Sequence, residues 1–98
     1  MTITAEQKNG ALTLHIAGRL DTVTSPELES KINELPSDTV NLVLDMKDVG
    51  YVSSAGLRVL LGAQKKMSKC GSMKLTGVCD AVTEVLEMTG FSDILEIE

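Results

Sequence analysis

Residues 40–58 read VNLVLDMKDVGYVSSAGLR, and this stretch decides the fold. Residues 40–44 are nearly continuously apolar, as in a central strand that is covered on both faces. Residues 45–50 are expected to lead out of that strand. The Ser-Ser pair and the small residues after it then open a helix, so two hydroxyls stand where a helix exposes its unpaired backbone amides. The stretch therefore predicts a buried strand followed by a helix with an accessible start.

A β-hairpin is predicted before this unit. Residues 3–7 alternate weakly between apolar and polar side chains, and residues 12–16 alternate clearly. Asn9 and Gly10 between them form one of the strongest two-residue hairpin signals. A polar loop over residues 18–24 follows the second strand.

The first helix is expected to begin near Ser25, with Ser25 as the cap and Pro26 at the first helical position. Its apolar side chains recur at helical spacing at Leu28, Ile32 and Leu35. Pro36 is expected to end it.

The same alternation of strands and helices continues to the end of the chain. The helix after Ser54 is expected to stop at Gly71, and a strand over residues 73–78 follows. Asp80 is expected to cap a third helix that closes at Gly90, before a last short strand over residues 94–97. The element order ββαβαβαβ predicts one α/β domain over residues 1–98, with a mixed, mostly parallel sheet and an N-terminal β-hairpin.

The amino-acid composition of the chain limits the kinds of partner that are expected. The chain has 98 residues, 43% of them hydrophobic, which suits one small globular core. Its formal net charge is −5, and Tyr51 and Phe91 are its only aromatic residues. Nucleic-acid binding and attachment to an anionic membrane both favour clustered cations, so the expected partner is another protein.

No motif in the sequence indicates catalysis, a metal or a cofactor. Cys70 and Cys79 are predicted to be free thiols, and His15 is predicted to lie on the surface of a strand. There is no P-loop, nucleophile elbow or metal-binding spacing, so we expect no enzymatic activity and no small-molecule substrate. Residues 1–6 do not resemble a signal peptide, and no apolar run reaches the roughly 20 residues of a membrane span. The expected location is the cytoplasm.

The Ser53-Ser54 pair has two interpretations. Serine is among the best helix caps, worth about 1 kcal/mol over alanine, and capping alone would explain a serine before a helix. The small residues Ala55 and Gly56 favour a second role, because they would leave the helix start bare to a phosphate or another protein. No Glu or Gln stands three residues after either serine to complete a capping box.

Two motifs carry a family resemblance. Residues 18–21 (Gly-Arg-Leu-Asp) and residues 53–58 (Ser-Ser-Ala-Gly-Leu-Arg) resemble those of the STAS domain, the bacterial anti-sigma-factor antagonist family. Members of that family have a motif Asp-Ser-Ser/Thr-Gly-Leu-Gly whose first serine is phosphorylated. Aligned on Gly56 and Leu57, the acceptor falls on Ser54, and Ser53 is the second candidate. This chain has Ser53 where the family has Asp, and Arg58 where the family has Gly.

The resemblance implies a switch. The unphosphorylated domain would bind an anti-sigma factor serine kinase and release a sigma factor. Phosphorylation of Ser54 would end the binding, and a PP2C-type phosphatase would restore it. The implied partner-binding residues are Asp21, Thr22, Ser53, Ser54, Ala55, Gly56, Leu57 and Arg58.

The sequence leaves some alternatives open. The chain would instead be a constitutive STAS-like subunit of an ATPase or transporter, as in lipid transport, if Ser54 is never modified. Asp21 is either a solvated turn residue or the acid that lies beside the acceptor in the family. Arg58 is either solvated or pairs with a partner's acid or with a phosphate on Ser54.

Overall fold

The computed structural model describes residues 1–8, 10–36 and 38–98, which form a single α/β domain. The predicted order of strands and helices is confirmed, with one 3-10 turn added at Phe91–Asp93. The elements are β1 (Thr2–Lys8), β2 (Ala11–Leu20), α1 (Ser25–Asn33), β3 (Asn41–Val52), α2 (Ser54–Ser68), β4 (Ser72–Thr76), α3 (Asp80–Met88) and β5 (Glu96–Ile97).

The strands of the described residues form one five-stranded sheet in the order β1-β2-β3-β4-β5. β1 pairs antiparallel with β2, and each later pair of neighbours is parallel. The N-terminal hairpin and the mostly parallel sheet are thus confirmed. Of the predicted turn pair, Gly10 has the positive φ of 81° that such a turn favours, and Asn9 lies outside the described residues.

The hydrophobic core lies on one face of the sheet. Alternate strand residues point into it and are buried: Leu14, Ile16, Leu42, Leu44, Met46, Met73 and Leu75. All three helices contribute to the same core, among others through Leu28, Leu60 and Leu86. Strand residues that point to the other face of the sheet, such as Thr13, are only half-buried. The expectation that residues 40–44 are covered on both faces is therefore wrong, because right-handed crossovers between successive neighbours place every helix on one side.

β3 continues eight residues beyond Leu44, so the expected exit segment at residues 45–50 is part of the strand. Its buried residues alternate as far as Met46 and are then spaced by three, at Val49 and Val52. The pairing of β3 with β2 shifts register twice in this region, between His15 and Ala17 and between Gly18 and Arg19. These irregularities break the two-residue period that marks a strand in sequence.

The helix starts differ from the expected caps by one residue. α1 begins at Ser25 itself, with Thr24 before it, and α3 begins at Asp80, with Cys79 before it. Ser25 is buried, and its hydroxyl donates to the backbone oxygen of Asp21. Ser25 therefore anchors the preceding loop rather than capping the helix.

Several helices and strands also end at other residues than the sequence predicts. α1 stops at Asn33, before Leu35 and Pro36, and the last two strands are shorter than predicted. Gly71 is not a left-handed helix stop, since its φ is not positive. A Cβ atom there would lie 1.8 Å from the backbone oxygen of Val40, so close approach of the chain entering β3 requires glycine.

The uncovered face of the sheet carries a cross-strand polar group. Nδ1 of His15 lies 2.7 Å from Oδ2 of Asp45, and Nε2 of His15 lies 3.2 Å from Oε1 of Glu6. The hydrogen bond with Asp45 raises the pKa of His15, and the same bond lowers the pKa of Asp45. The predicted position of His15 on a strand surface is confirmed. Cys70 and Cys79 are free thiols, as predicted.

We predict that His15→Gln flattens the pH dependence of stability above about pH 6.5. A raised histidine pKa adds stability that is fully present below about pH 6.5 and is lost as pH rises through the raised value. The free energy of unfolding, measured by urea denaturation at pH 6, 7 and 8, should fall more steeply in the wild type than in the variant. Equal slopes would show that the carboxylates do not raise the pKa of His15 in the folded protein.

Candidate functional site

The start of α2 is held by Ser53. This residue is the N-cap, with extended backbone, and its hydroxyl oxygen accepts a 3.2 Å hydrogen bond from the backbone N–H of Gly56. Its own N–H donates to the backbone oxygen of Leu20 at 2.8 Å. The capping interpretation is thus confirmed for Ser53, which fills the structural role open to an Asp at this position.

Ser54 is the first residue of α2 and is exposed. Within residues 1–8, 10–36 and 38–98, the Ser54 side chain takes part in no hydrogen bond. The two adjacent serines therefore differ: one hydroxyl completes the helix cap, and the other faces solvent beside the amides of the first helical turn.

Gly56 and Leu57 lie beneath this surface. Leu57 is only 6% exposed, and a Cβ atom on Gly56 would lie 2.8 Å from Cγ and 2.9 Å from the backbone oxygen of Leu20. The expectation that Gly56 leaves the helix start bare for a partner is wrong. Glycine is required here because the first turn of α2 packs directly on the end of β2.

Asp21 forms a turn immediately after β2. Its Oδ1 accepts hydrogen bonds from the backbone N–H groups of Val23 and Thr24, each at 3.0 Å. The Thr24 hydroxyl donates to the backbone oxygen of Arg19. The hydrogen bond from the backbone N–H of Thr24 is the main cause that lowers the pKa of Asp21. The turn interpretation of Asp21 is confirmed, and its ionised carboxylate fixes the shape of the loop.

The loop after β2 and the start of α2 share one surface. Leu20 and Val52 are neighbours in the parallel register, and the bond from Ser53 to Leu20 continues this contact past the ends of both strands. Thr22 and Ala55 line the same shallow cavity of about 180 Å³, together with Arg58. The structure therefore brings together the two motifs of the family resemblance, residues 18–21 and residues 53–58.

Arg58 stands one helical turn after Ser54, so the two side chains lie on the same side of α2. It is exposed, and it makes no ion pair within the part of the chain that the structure describes. Its guanidinium is available to an external acid or to a phosphate.

Arg19 and Tyr51 form a contact that sequence reasoning missed. Their positions are in register on β2 and β3, and the guanidinium of Arg19 lies 4.2 Å from the ring centre of Tyr51. Nε of Arg19 also lies 3.7 Å from Oδ2 of Asp21. Only the strand register, which the two bulges obscure, would have revealed this neighbour of the Asp21 turn.

Among residues 1–8, 10–36 and 38–98, no three His, Cys, Asp or Glu side chains are grouped so as to hold a metal ion. None of the helices in these residues has the length and apolarity to span a bilayer.

The STAS domain family matches residues 2–98. The chain belongs to the STAS family. Its resemblance to that family is thus confirmed along nearly the whole sequence. An anti-sigma-B factor antagonist of Bacillus subtilis is 31% identical over 98 residues, a match that covers 99% of this chain and 90% of the relative.

Solved structures show that the STAS fold is shared. An anti-sigma factor antagonist from Mycobacterium paratuberculosis superposes with a TM-score of 0.89 at 26% identity, covering 98% of this chain and 83% of that one. The anti-sigma factor antagonist SpoIIAA of Bacillus, in its unphosphorylated form, gives a TM-score of 0.80 at 14% identity, covering 99% and 88%. At that identity the likeness concerns the fold alone.

We predict opposite effects of two Gly→Ala substitutions in α2. Gly56→Ala should lower the free energy of unfolding by about 1–3 kcal/mol, because the new methyl group overlaps Leu20. Gly62→Ala should raise it by up to about 1 kcal/mol, since a Cβ there meets no atom within 4 Å and alanine favours the helix. Urea denaturation measures both. A neutral Gly56→Ala would mean that α2 does not need close contact with β2.

Proposed function

We propose that this STAS domain is an anti-sigma factor antagonist that is switched by phosphorylation of Ser54. Unmodified, it binds an anti-sigma factor serine kinase through the start of α2 and the Asp21 turn, and the sigma factor is released. The observation that carries the proposal is the exposed hydroxyl of Ser54, which makes no hydrogen bond among the described residues. The neighbouring hydroxyl of Ser53, by contrast, accepts a hydrogen bond that caps the helix. The domain is the kinase's substrate, and we place this exchange in the cytoplasm.

Not all of the partner-binding residues implied by the sequence lie on the surface offered to the kinase. Thr22, Ser54 and Arg58 are exposed, and Asp21, Ser53 and Ala55 are half-buried around them. Because Gly56 and Leu57 are buried, they support the surface from within. The charged groups of this surface are the Asp21 carboxylate and the Arg58 guanidinium.

A phosphate on Ser54 would be compatible with the fold. It would add about −1.5 to −2 charge at the first residue of α2, where the helix dipole and free amides favour an anion. Replacement of the family's Asp by the neutral Ser53 removes a like charge from the neighbouring position. SpoIIAA, which has the same fold, has also been solved in a phosphorylated form.

The same phosphate would oppose binding. In a complex the Ser54 hydroxyl would be enclosed between two surfaces. A phosphate enclosed there carries more negative charge than the single guanidinium of Arg58 can match, and the unmatched charge would cost the interface several kcal/mol. A PP2C-type phosphatase would reverse the modification. The switch thus acts on the interface and leaves the fold of the domain unchanged.

Phosphate should appear on Ser54 when the domain is incubated with its anti-sigma factor kinase and ATP. Mass spectrometry of peptides locates it, with Ser54→Ala and Ser53→Ala as matched variants. We expect Ser54→Ala to remain unmodified. Ser53→Ala should be modified but less stable by about 1 kcal/mol, because it lacks the cap.

Two results would contradict this assignment. Phosphate found on Ser53 in the wild type would move the switch to the capping residue. An unmodified domain that stays bound to its partner would favour the constitutive STAS subunit of an ATPase or transporter.

Ser54→Asp should fold normally and bind the kinase at least tenfold more weakly. An acid in the first helical turn is favoured by the dipole, so the melting temperature should stay the same or rise. The matched control is Ser68→Asp, which places the same charge at the exposed far end of α2 and should leave binding unchanged. Unfolding of Ser54→Asp would contradict the argument from the helix start.

A further inference from the structure

We propose that the groove between α1 and α2 receives a segment of the anti-sigma factor kinase that carries an acidic side chain. This rests on the proposed function and extends its surface. The groove consists of two adjoining cavities, of about 180 Å³ at the Ser54 end and about 160 Å³ beyond it. Both are lined by Glu29 and Val59, so they form one continuous depression that begins at Thr22 and Ala55.

Gly62 is the feature of this groove that the fold does not explain. It lies in the interior of α2, where glycine costs about 1 kcal/mol relative to alanine. Unlike Gly56 or Gly71, it has no atom within 4 Å of the position of a Cβ, and its φ is not positive. A methyl group would fit and would stabilise the helix. The open space therefore suits the close approach of a chain from outside.

The floor of the groove is apolar and its ends are charged. Val59 and Ala63 are 9% and 3% exposed, and Ile32 of α1 lies beside them at 3%. At the far end Nζ of Lys66 donates to the backbone oxygen of Ile32 at 2.9 Å, which ties the two helices together and closes the groove. At the near end the guanidinium of Arg58 has no ion-pair partner among the described residues.

These charges indicate the chemistry of the occupant. Arg58 and Lys66 outnumber the single carboxylate of Glu29 in the groove, although the whole chain carries a net charge of −5. The Lys66 ammonium is already engaged with a carbonyl, so Arg58 is the available cation. An acidic side chain on the incoming segment would meet it there. Arg58 and Lys66 stand about 12 Å apart along the helix, a span of two to three helical turns or a few extended residues.

The groove and the phosphorylation site are coupled through Arg58. A phosphate on Ser54 would lie one helical turn from the guanidinium and would compete with the segment's acid for it. Phosphorylation would therefore weaken binding within the groove as well as at the helix start.

The test uses Gly62→Ala and Gly62→Leu in the unphosphorylated domain, with the kinase that binds the wild type as the probe. Gly62→Ala should raise the melting temperature by up to about 4–8 °C and weaken binding of the kinase about tenfold in calorimetric titration. Gly62→Leu should weaken binding further. If a variant is more stable than the wild type yet binds the kinase less well, the loss of binding comes from a blocked contact in the groove and not from damage to the fold.

The control is Ser68→Ala, on an exposed part of α2 that does not line the groove, and it should bind like the wild type. If Gly62→Leu binds the kinase as well as the wild type does, the proposal that the groove receives a kinase segment is overturned, and the proposed function remains intact. Failure of any such kinase to bind the wild type would overturn the proposed function itself. A wild-type dimer that Gly62→Leu abolishes would make the occupant a second copy of the chain and would also overturn the proposal.

Discussion

The hydrogen bond from the N–H of Ser53 to the backbone oxygen of Leu20 joins the end of β2 to the start of α2. Gly56 lets the first helical turn settle on Leu20, and a larger residue would push the two apart. Since Asp21 follows Leu20 and Ser54 follows Ser53, this junction sets the Asp21 turn beside the exposed hydroxyl. The candidate site is thus a consequence of backbone contact between two parallel strands and the helix that leaves one of them.

Within that junction the two serines have separate tasks. Ser53 satisfies a helix amide and is tied to the structure, whereas Ser54 contributes only an exposed hydroxyl. In the family motif an Asp stands in the position of Ser53, so a capping group is followed by a separate hydroxyl there as well. Asp21, by contrast, has two tasks, because the carboxylate that shapes its loop also gives the surface a negative charge.

The sequence predicts the order of elements, the hairpin and the position of the candidate site at the start of α2 because each depends on local signals. Apolar periodicity marks α1, and the Ser-Ser-Ala-Gly run marks the start of α2 together with the family motif. The second half of β3 is hidden because bulges in its pairing change the period of burial after Met46. The role of Gly56 is hidden for a related reason: what a glycine touches depends on Leu20, a residue 36 positions earlier. The stacking of Arg19 on Tyr51 likewise depends on strand register, which no local pattern reports.

β3 spans 12 residues, roughly 40 Å when extended, and leads directly into the helix that carries Ser54. It is hydrogen-bonded to a parallel neighbour on each side over the half nearest its start. The half that leads to Ser54 is paired with β2 alone, but Val49 and Val52 are buried there and Ser53 is hydrogen-bonded to Leu20. These contacts hold the backbone that carries the Ser54 hydroxyl in place. A phosphate added to Ser54 would therefore place its charge at a fixed position, and it would act by changing which partners can bind and not by changing the shape of the domain.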